Sequence, residues 1–233
     1  MNRPILHYQV IQGEVSNLLT EATQVNYLKN LGTHQELASV VSVLQAATGQ
    51  AGAVNSAQAA IYEGDPVEGF FMTVDGKAIS GDFWKATFKD GDFVKVVGRE
   101  YGSLFEAVAV VKPDERLIWM RPHCERGTHS QVKNLIKCSG YFVLIMCIFA
   151  SLVAVSSDLP LWVIFVSFLL AAATILIVTV GMSWTDFMRF AGEMDAVAET
   201  LGLPDPTQTD LFDSTRRQRK AGKADLPFGV FYY

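Results

Sequence analysis

Short runs of alternating apolar and polar residues, separated by turn residues, occupy the chain between Glu68 and Met120. Asp75-Gly76 between two of these runs indicates a type I′ hairpin turn, which needs positive φ at both central positions. Seven such runs, at 7–15, FFMTV, KAIS, FWKATF, FVKVVG, 105–111 and 117–120, predict about six short strands. Short strands broken by Gly and Asp favour a small antiparallel β-barrel of OB-like or SH3-like kind.

A segment between the first two predicted strands, residues 16–66, departs from this alternation. Leu37, Val40, Val41 and Leu44 recur at helical spacing, and the stretch ATGQAGAVNSAQAA that follows is rich in Ala and Gly. This pattern predicts one or two helices and a loose loop, and the Ala/Gly stretch suits a solvated linker better than a close-packed helix pair. Residues 1–125 are therefore predicted to form a barrel domain with a helical insert.

The next 48 residues, 138–185, contain one charged residue, Asp158. They divide into uncharged runs of 20 residues (138–157) and 27 residues (159–185), and about 20 apolar residues suffice to cross a bilayer as a helix. The connection around Asp158 and Pro160 is short, so the two helices have to run antiparallel. We predict a juxtamembrane segment and transmembrane hairpin over 126–185, with spans at about 138–157 and 159–182.

Basic residues flank the predicted hairpin and are absent from its turn. The positive-inside rule then orients both termini to the cytoplasm. The spans contain few polar residues, which favours an anchor over a pore. Small residues along both spans would allow close packing within the hairpin or between copies of the chain in a homo-oligomer.

The C-terminal segment, 186–233, carries two further patterns. Apolar residues three or four apart predict that an amphipathic helix continues to Leu201, and Gly202 with Pro204 would end it. The polar stretch 205–225 is interpreted as a solvated linker or a contact with anionic lipid. The aromatic terminus PFGVFYY is expected either to add a strand to an edge of the barrel or to lie at the membrane interface.

The composition excludes several classes of function. The net charge is -5, and residues 1–137 carry 13 Lys and Arg against 15 Asp and Glu, which argues against nucleic-acid binding. No phosphate-binding loop, serine elbow, zinc-protease or dinucleotide motif occurs, so we expect neither an enzyme nor a cofactor. Three cysteines without CxxC spacing are expected to be reduced, and we do not expect residues 1–137 to be exported through a cleaved signal, because MNRPILHYQV has no long apolar run or A-x-A-like site.

The residues from Arg121 to His129 form the densest polar group in the chain. His123, Cys124 and His129 are soft-metal ligand types, but their spacing fits no metal motif, and their position before the first span favours contact with lipid headgroups. The predicted membrane-interface residues, which also come from the helix ends, are Arg121, His123, Arg126, Lys133, Lys137, Trp184 and Arg189. The predicted protein-partner surface consists of aromatics expected to be exposed on the barrel, Phe83, Trp84 and Phe88.

Three stretches of the sequence support a resemblance to a known family. They are TVDGKAISGDFWKATFKDGDFVKVVG, the junction ERLIWMRPHCERG ahead of a two-span hairpin, and LGLPDP, DL and FYY in the C-terminal segment. With them, the chain from about Glu68 onward resembles a family of small bacterial two-span membrane proteins described as type VI secretion system effectors. The resemblance implies a role in competition between bacteria, either as a toxin or as the immunity protein that neutralises one. It implies no catalytic residue.

Two functions of different class follow from these patterns. The first is an inner-membrane protein of type VI secretion, effector or immunity, that acts through lipid or protein contacts and whose partner is a secretion component, a toxin or an immunity protein. The second is a membrane-anchored cytoplasmic adaptor whose barrel binds another protein. Both predict membrane lipids and one protein as partners.

Overall fold

The structure is a computed structural model that describes residues 7–27, 64–102, 104–156 and 159–233. Within these ranges the chain forms two compact units, one of residues 123–213 and one that joins residues 7–122 to residues 214–233. The end of the chain thus belongs with the barrel, whereas the predicted division kept 186–233 together as a third segment. The fold is α+β, with a closed five-strand barrel and three α-helices.

Seven strands form the sheet of the barrel unit. Five of them close on themselves in the order β1-β2-β3-β5-β4, and β6 and β7 extend the sheet beyond β5. The strands are β1 (Gln9–Val25), β2 (Asp65–Val74), β3 (Lys77–Phe83), β4 (Phe93–Tyr101), β5 (Leu104–Lys112), β6 (Leu117–Met120) and β7 (Val230–Tyr232). The prediction of a small β-barrel is confirmed, and its ring of five strands is closed.

The barrel closes through one parallel pairing, in which Ile79 and Ser80 of β3 lie beside Phe105 and Glu106 of β5. All other neighbouring strands are antiparallel. The predicted antiparallel arrangement thus holds except at this closing pair, and the exception has a geometric reason. Strand directions cannot alternate all the way round a closed ring of five, because an odd number always leaves one pair pointing the same way.

The predicted turns and strands match the structure over most of the barrel. Asp75 and Gly76 both have positive φ, 51° and 71°, as the type I′ turn between β2 and β3 requires. The strand predicted at FWKATF was wrong, because β3 ends at Phe83 and residues 84–89 have no regular structure. This irregular segment carries Phe88 back into the core, where its ring meets the Trp119 ring edge-to-face with centroids 5.4 Å apart.

The boundaries of the predicted insert, 16–66, were also wrong. Strand β1 continues to Val25 through a bulge near Asn17, which has a φ of 55°, and β2 begins at Asp65. The bulge shifts the register without ending the strand, so the polar residues after Val15 did not mark a strand end. Leu37, Val40, Val41 and Leu44 lie outside the described residues.

Two long helices, α1 (Thr128–Ser156) and α2 (Leu161–Thr200), form the helical hairpin of the other unit. Both are long and apolar enough to cross a membrane. Helix α2 runs without a break through the second apolar run into the amphipathic segment, as predicted. Gly202, with a φ of 68°, ends it, since its N–H bonds to the Glu199 carbonyl and the Leu203 N–H bonds to that of Ala198.

The tail contains more structure than its composition suggested. A 3₁₀ turn (Pro206–Gln208) and a third helix, α3 (Leu211–Lys220), occupy part of the stretch expected to be a solvated linker. The Asp210 carboxylate accepts a hydrogen bond from the Asp213 N–H and so caps the start of α3. The aromatic terminus forms β7 on the edge of β6, which confirms the first of the two alternatives predicted for it.

Candidate functional site: the helical hairpin and the barrel groove

The apolar side chains of the hairpin point outward over most of its length. Almost none of the most apolar window of either helix is buried, and Val155, Trp162 and Ile177 are among the exposed residues. A contiguous apolar surface of this size is unfavourable in water. Three hydroxyls of the two helices bond their own helix: Ser151 donates to the Cys147 carbonyl, Thr174 to the Leu170 carbonyl and Thr179 to the Ile175 carbonyl.

A polar network holds the base of the hairpin. The Asp195 carboxylate of α2 accepts hydrogen bonds from the Thr128 N–H at 2.9 Å and from its hydroxyl at 2.8 Å, so α2 caps the first turn of α1. Gly127 leaves room for this approach, because a Cβ there would lie 2.5 Å from the Pro206 carbonyl oxygen. The Arg126 guanidinium pairs with Asp210 at 3.0 Å.

The predicted membrane-interface residues divide between the two units. Arg121 lies in the barrel unit and pairs with a carboxylate there. His123 packs its ring on Phe190, with centroids 5.3 Å apart, and Arg189 lies 3.6 Å from the buried Asp186. The remaining members lie on or beside the two long helices: Arg126, Lys133, Lys137 and Trp184.

The soft-metal alternative gains no support from the geometry. No group of three or more His, Cys, Asp or Glu side chains able to hold a metal ion occurs among the residues that the structure describes. Cys124 is buried and its thiol lies 3.5 Å from the Glu193 carboxylate. The three cysteines are thiols and not disulfides, Cys138 being exposed and Cys147 partly buried.

The predicted partner surface is wrong for two of its three residues. Phe83 is fully buried and Phe88 is 2% exposed, and both belong to the barrel core with Phe70. The indole of Trp84 is only partly exposed and packs on the Phe228 ring, with centroids 5.0 Å apart. Segment 84–89 turns inward, so adjacent aromatics in the sequence do not share an outer face.

A groove on the outer face of the barrel takes the place of that surface. It has a volume of about 780 Å³ and runs across β1, β2, β3 and β5 to the end of β4. Its apolar walls include side chains that are unusually exposed for their type: Leu19 at 69%, Phe71 at 39%, Leu104 at 39% and Tyr101 at 76%.

Strand register arranges the groove in two rows. In the first row Leu19 faces Phe71, Phe71 faces Ser80 and Ser80 faces Glu106. In the second row Gly69 lies between Glu21 and Asp82. The missing side chain leaves a depression between the two carboxylates, because a Cβ on Gly69 would lie 3.3 Å from Asp82 Oδ1. The first row is thus apolar at Leu19 and Phe71 and polar at Ser80 and Glu106, and the second row is acidic.

The charges along the groove are unequally compensated. Glu106 accepts a 2.7 Å bond from Arg121 and a 2.8 Å bond from Arg99. Burial alone would raise the pKa of Glu106, but its bonds and Coulombic attraction to the two guanidiniums outweigh burial and hold that pKa below its usual value. Burial raises the pKa of Asp82, with Arg121 opposing the rise and Glu106 adding to it. Glu21 is exposed.

Compared with known proteins, the chain matches no family model, no curated protein and no solved structure. Its function therefore has to be inferred from the hairpin and the groove.

Proposed function

We propose that this chain is a bacterial inner-membrane protein, held by its helical hairpin, whose barrel binds a protein partner. The observation that carries the proposal is the outward-facing apolar surface of two antiparallel helices of 29 and 40 residues. A bilayer would cover that surface, and about 30 Å of hydrocarbon corresponds to about 20 residues of either helix. With the strand order 1-2-3-5-4 and a parallel closing pair, we also propose that the barrel is OB-like.

Alkaline carbonate washing of membranes tests the anchor. We expect the full chain to stay in the membrane pellet and to require detergent for release, because peripheral contacts break at high pH and a spanning hairpin does not. Recovery of the full-length protein in the carbonate supernatant as a soluble monomer would contradict the anchor. Adding Leu144→Arg and Leu170→Arg, both on exposed positions of the two helices, should shift the protein out of the pellet.

More specifically, we propose that the protein takes part in type VI secretion. The support is the family resemblance of the sequence stretches around strands β2–β4 and at the hairpin junction. An effector should poison a susceptible cell when the chain is expressed in it. An immunity protein should instead protect that cell from a toxin produced by a neighbour. If expression has neither effect, the adaptor function, with the same anchor and a barrel that binds another protein, is favoured.

A further inference from the structure

We propose that the groove binds an extended polypeptide segment in which a Lys or Arg stands two residues from an apolar side chain. The inference rests on the proposed function, since it identifies the chemistry of the protein partner. It replaces the aromatic surface expected at Phe83, Trp84 and Phe88. The occupant is set by three features of the groove: its exposed walls, its two rows and the carboxylates of its second row.

The exposed walls favour a polypeptide over a small molecule. Leu19 and Tyr101 stand at opposite ends of the groove and each exposes more than two thirds of its surface. A small ligand between them would itself remain largely in water, whereas small-molecule sites bury most of their ligand. An extended chain laid over Leu19 and Phe71 would instead cover both side chains and gain about 25 cal/mol for each Å² of apolar surface removed from water.

The spacing of the rows fits an extended backbone. Leu19 and Glu21 are alternate residues of β1, as are Gly69 and Phe71 in β2, so the rows are separated by two residues of a strand, about 6.5 to 7 Å. Side chains two apart in an extended peptide have the same separation and point the same way. One such pair of side chains can place an apolar group on Leu19 and Phe71 and its second member in the depression at Gly69.

The charges select a cation for that depression. Glu106, in the first row, pairs with two arginines, whereas neither Glu21 nor Asp82 forms an ion pair among the described residues, and Arg121 acts on Asp82 only by Coulombic attraction. A Lys or Arg between these carboxylates could bond to either, and hydrogen bonds between charged groups are stronger than those between neutral ones. The same two charges repel a polyanion, so a nucleic acid is excluded as the occupant.

Selection from a random library of nine-residue peptides displayed on phage tests the inference, with the full chain in detergent micelles as bait. Enriched peptides should carry Lys or Arg two positions from an apolar residue. The affinity of one enriched peptide is then measured by fluorescence anisotropy. Glu21→Gln with Asp82→Asn should weaken it at least about tenfold, and Gly69→Ala should weaken it by filling the depression. Glu14→Gln removes a charge from β1 outside the groove and should leave it unchanged.

Four outcomes would overturn the inference: no enrichment over empty micelles, enrichment of acidic peptides, equal affinity for the double variant, or tighter binding of a single-stranded oligonucleotide than of any peptide. Each concerns the groove alone. Membrane anchoring is judged separately by the carbonate wash, so a failure of the groove and a failure of the anchor are distinguishable.

Discussion

The Lys112 ammonium ties the end of β5 to the turn before β4. Its Nζ lies 2.7 Å from Asp92 Oδ1 and 2.7 Å from Glu115 Oε1, and the Lys112 and Asp92 side chains are each about one fifth exposed. Burial alone would raise the pKa of Asp92, but the bonds and charges of Lys112 and Lys89 outweigh it and lower that pKa. The hydrogen bonds that Lys112 donates to Asp92 and Glu115 raise the pKa of Lys112.

We expect Lys112→Met to lower the free energy of unfolding by about 1 kcal/mol at pH 7. Because the folded pKa of Asp92 is depressed, the stabilisation is present above its unfolded pKa of about 4 and is lost as pH falls through the folded value. Because that of Lys112 is raised, it is also lost as pH rises through the folded value, above about 10.4. Urea titration of the detergent-solubilised chain from pH 3 to 11 measures this window.

Lys85→Met is the control for this titration, since Lys85 forms a longer pair with Glu68 and is 55% exposed. We expect it to change stability by less than about 0.5 kcal/mol at any pH. If the Lys112 variant loses the same stability at every pH, the ion pair with Asp92 is not the source of the stabilisation by Lys112.

Two glycines of the barrel exclude a side chain for different reasons. Gly91 has a φ of 86° with open space around it, whereas a Cβ on Gly81 would lie 2.8 Å from the Phe70 ring. We expect Gly91→Ala and Gly81→Ala each to cost about 1 to 3 kcal/mol. Phe70→Leu should reduce the cost at Gly81 and leave that at Gly91 unchanged, which a double-mutant cycle measures. Equal coupling of Phe70 to both positions would contradict these two causes.

At the scale of elements, the start of α1 depends on a side chain 67 residues away. Asp195 accepts both hydrogen bonds of Thr128, so Asp195→Ala leaves an N–H of the first turn without its cap. We expect a loss of about 1 kcal/mol and faster hydrogen exchange at residues 128–131. Glu199→Ala, at an exposed position of the same helix, is the matched control. Unchanged exchange in the Asp195 variant would show that another group holds the turn.

The sequence pattern predicted the elements that depend only on residues close together in the chain. The Asp75-Gly76 turn, the strands beside it and the two apolar helices follow from alternation, positive φ and length. The bulge at Asn17 and the inward turn at Phe88 do not, because each depends on what the strand pairs with or packs against. For the aromatic C-terminus the sequence left two alternatives, an added strand or a position at the membrane interface. Only the folded structure decides for the strand, because it shows that the edge of β6 is available for pairing with β7.

The groove was missed for the same reason. Leu19 and Glu21 lie within the segment predicted as an insert, and Gly69 and Asp82 are remote from them in the sequence. Only the register of β1, β2 and β3 brings Glu21, Gly69 and Asp82 into one row. The nearest signal in the sequence was Phe71, an apolar residue that lies between the buried Phe70 and Met72.

At the scale of the whole molecule, the basic residues around the hairpin determine which compartment receives the barrel. Arg121, Arg126, Lys133, Lys137 and Arg189 flank the two apolar runs, and the turn offers only Asp158. This bias should hold both ends of the chain in the cytoplasm. A partner of the groove would then have to be cytoplasmic, and a periplasmic toxin would meet only the short turn.

Cysteine labelling in intact cells measures this topology. On a background of Cys124→Ala, Cys138→Ser and Cys147→Ser, Leu159→Cys reports the turn and Ala221→Cys the tail, both being exposed positions. A membrane-impermeant maleimide should label position 159 in intact cells and position 221 only after lysis. The opposite pattern would place the groove in the periplasm, and a basic segment of a periplasmic protein would then be the partner that its two carboxylates select.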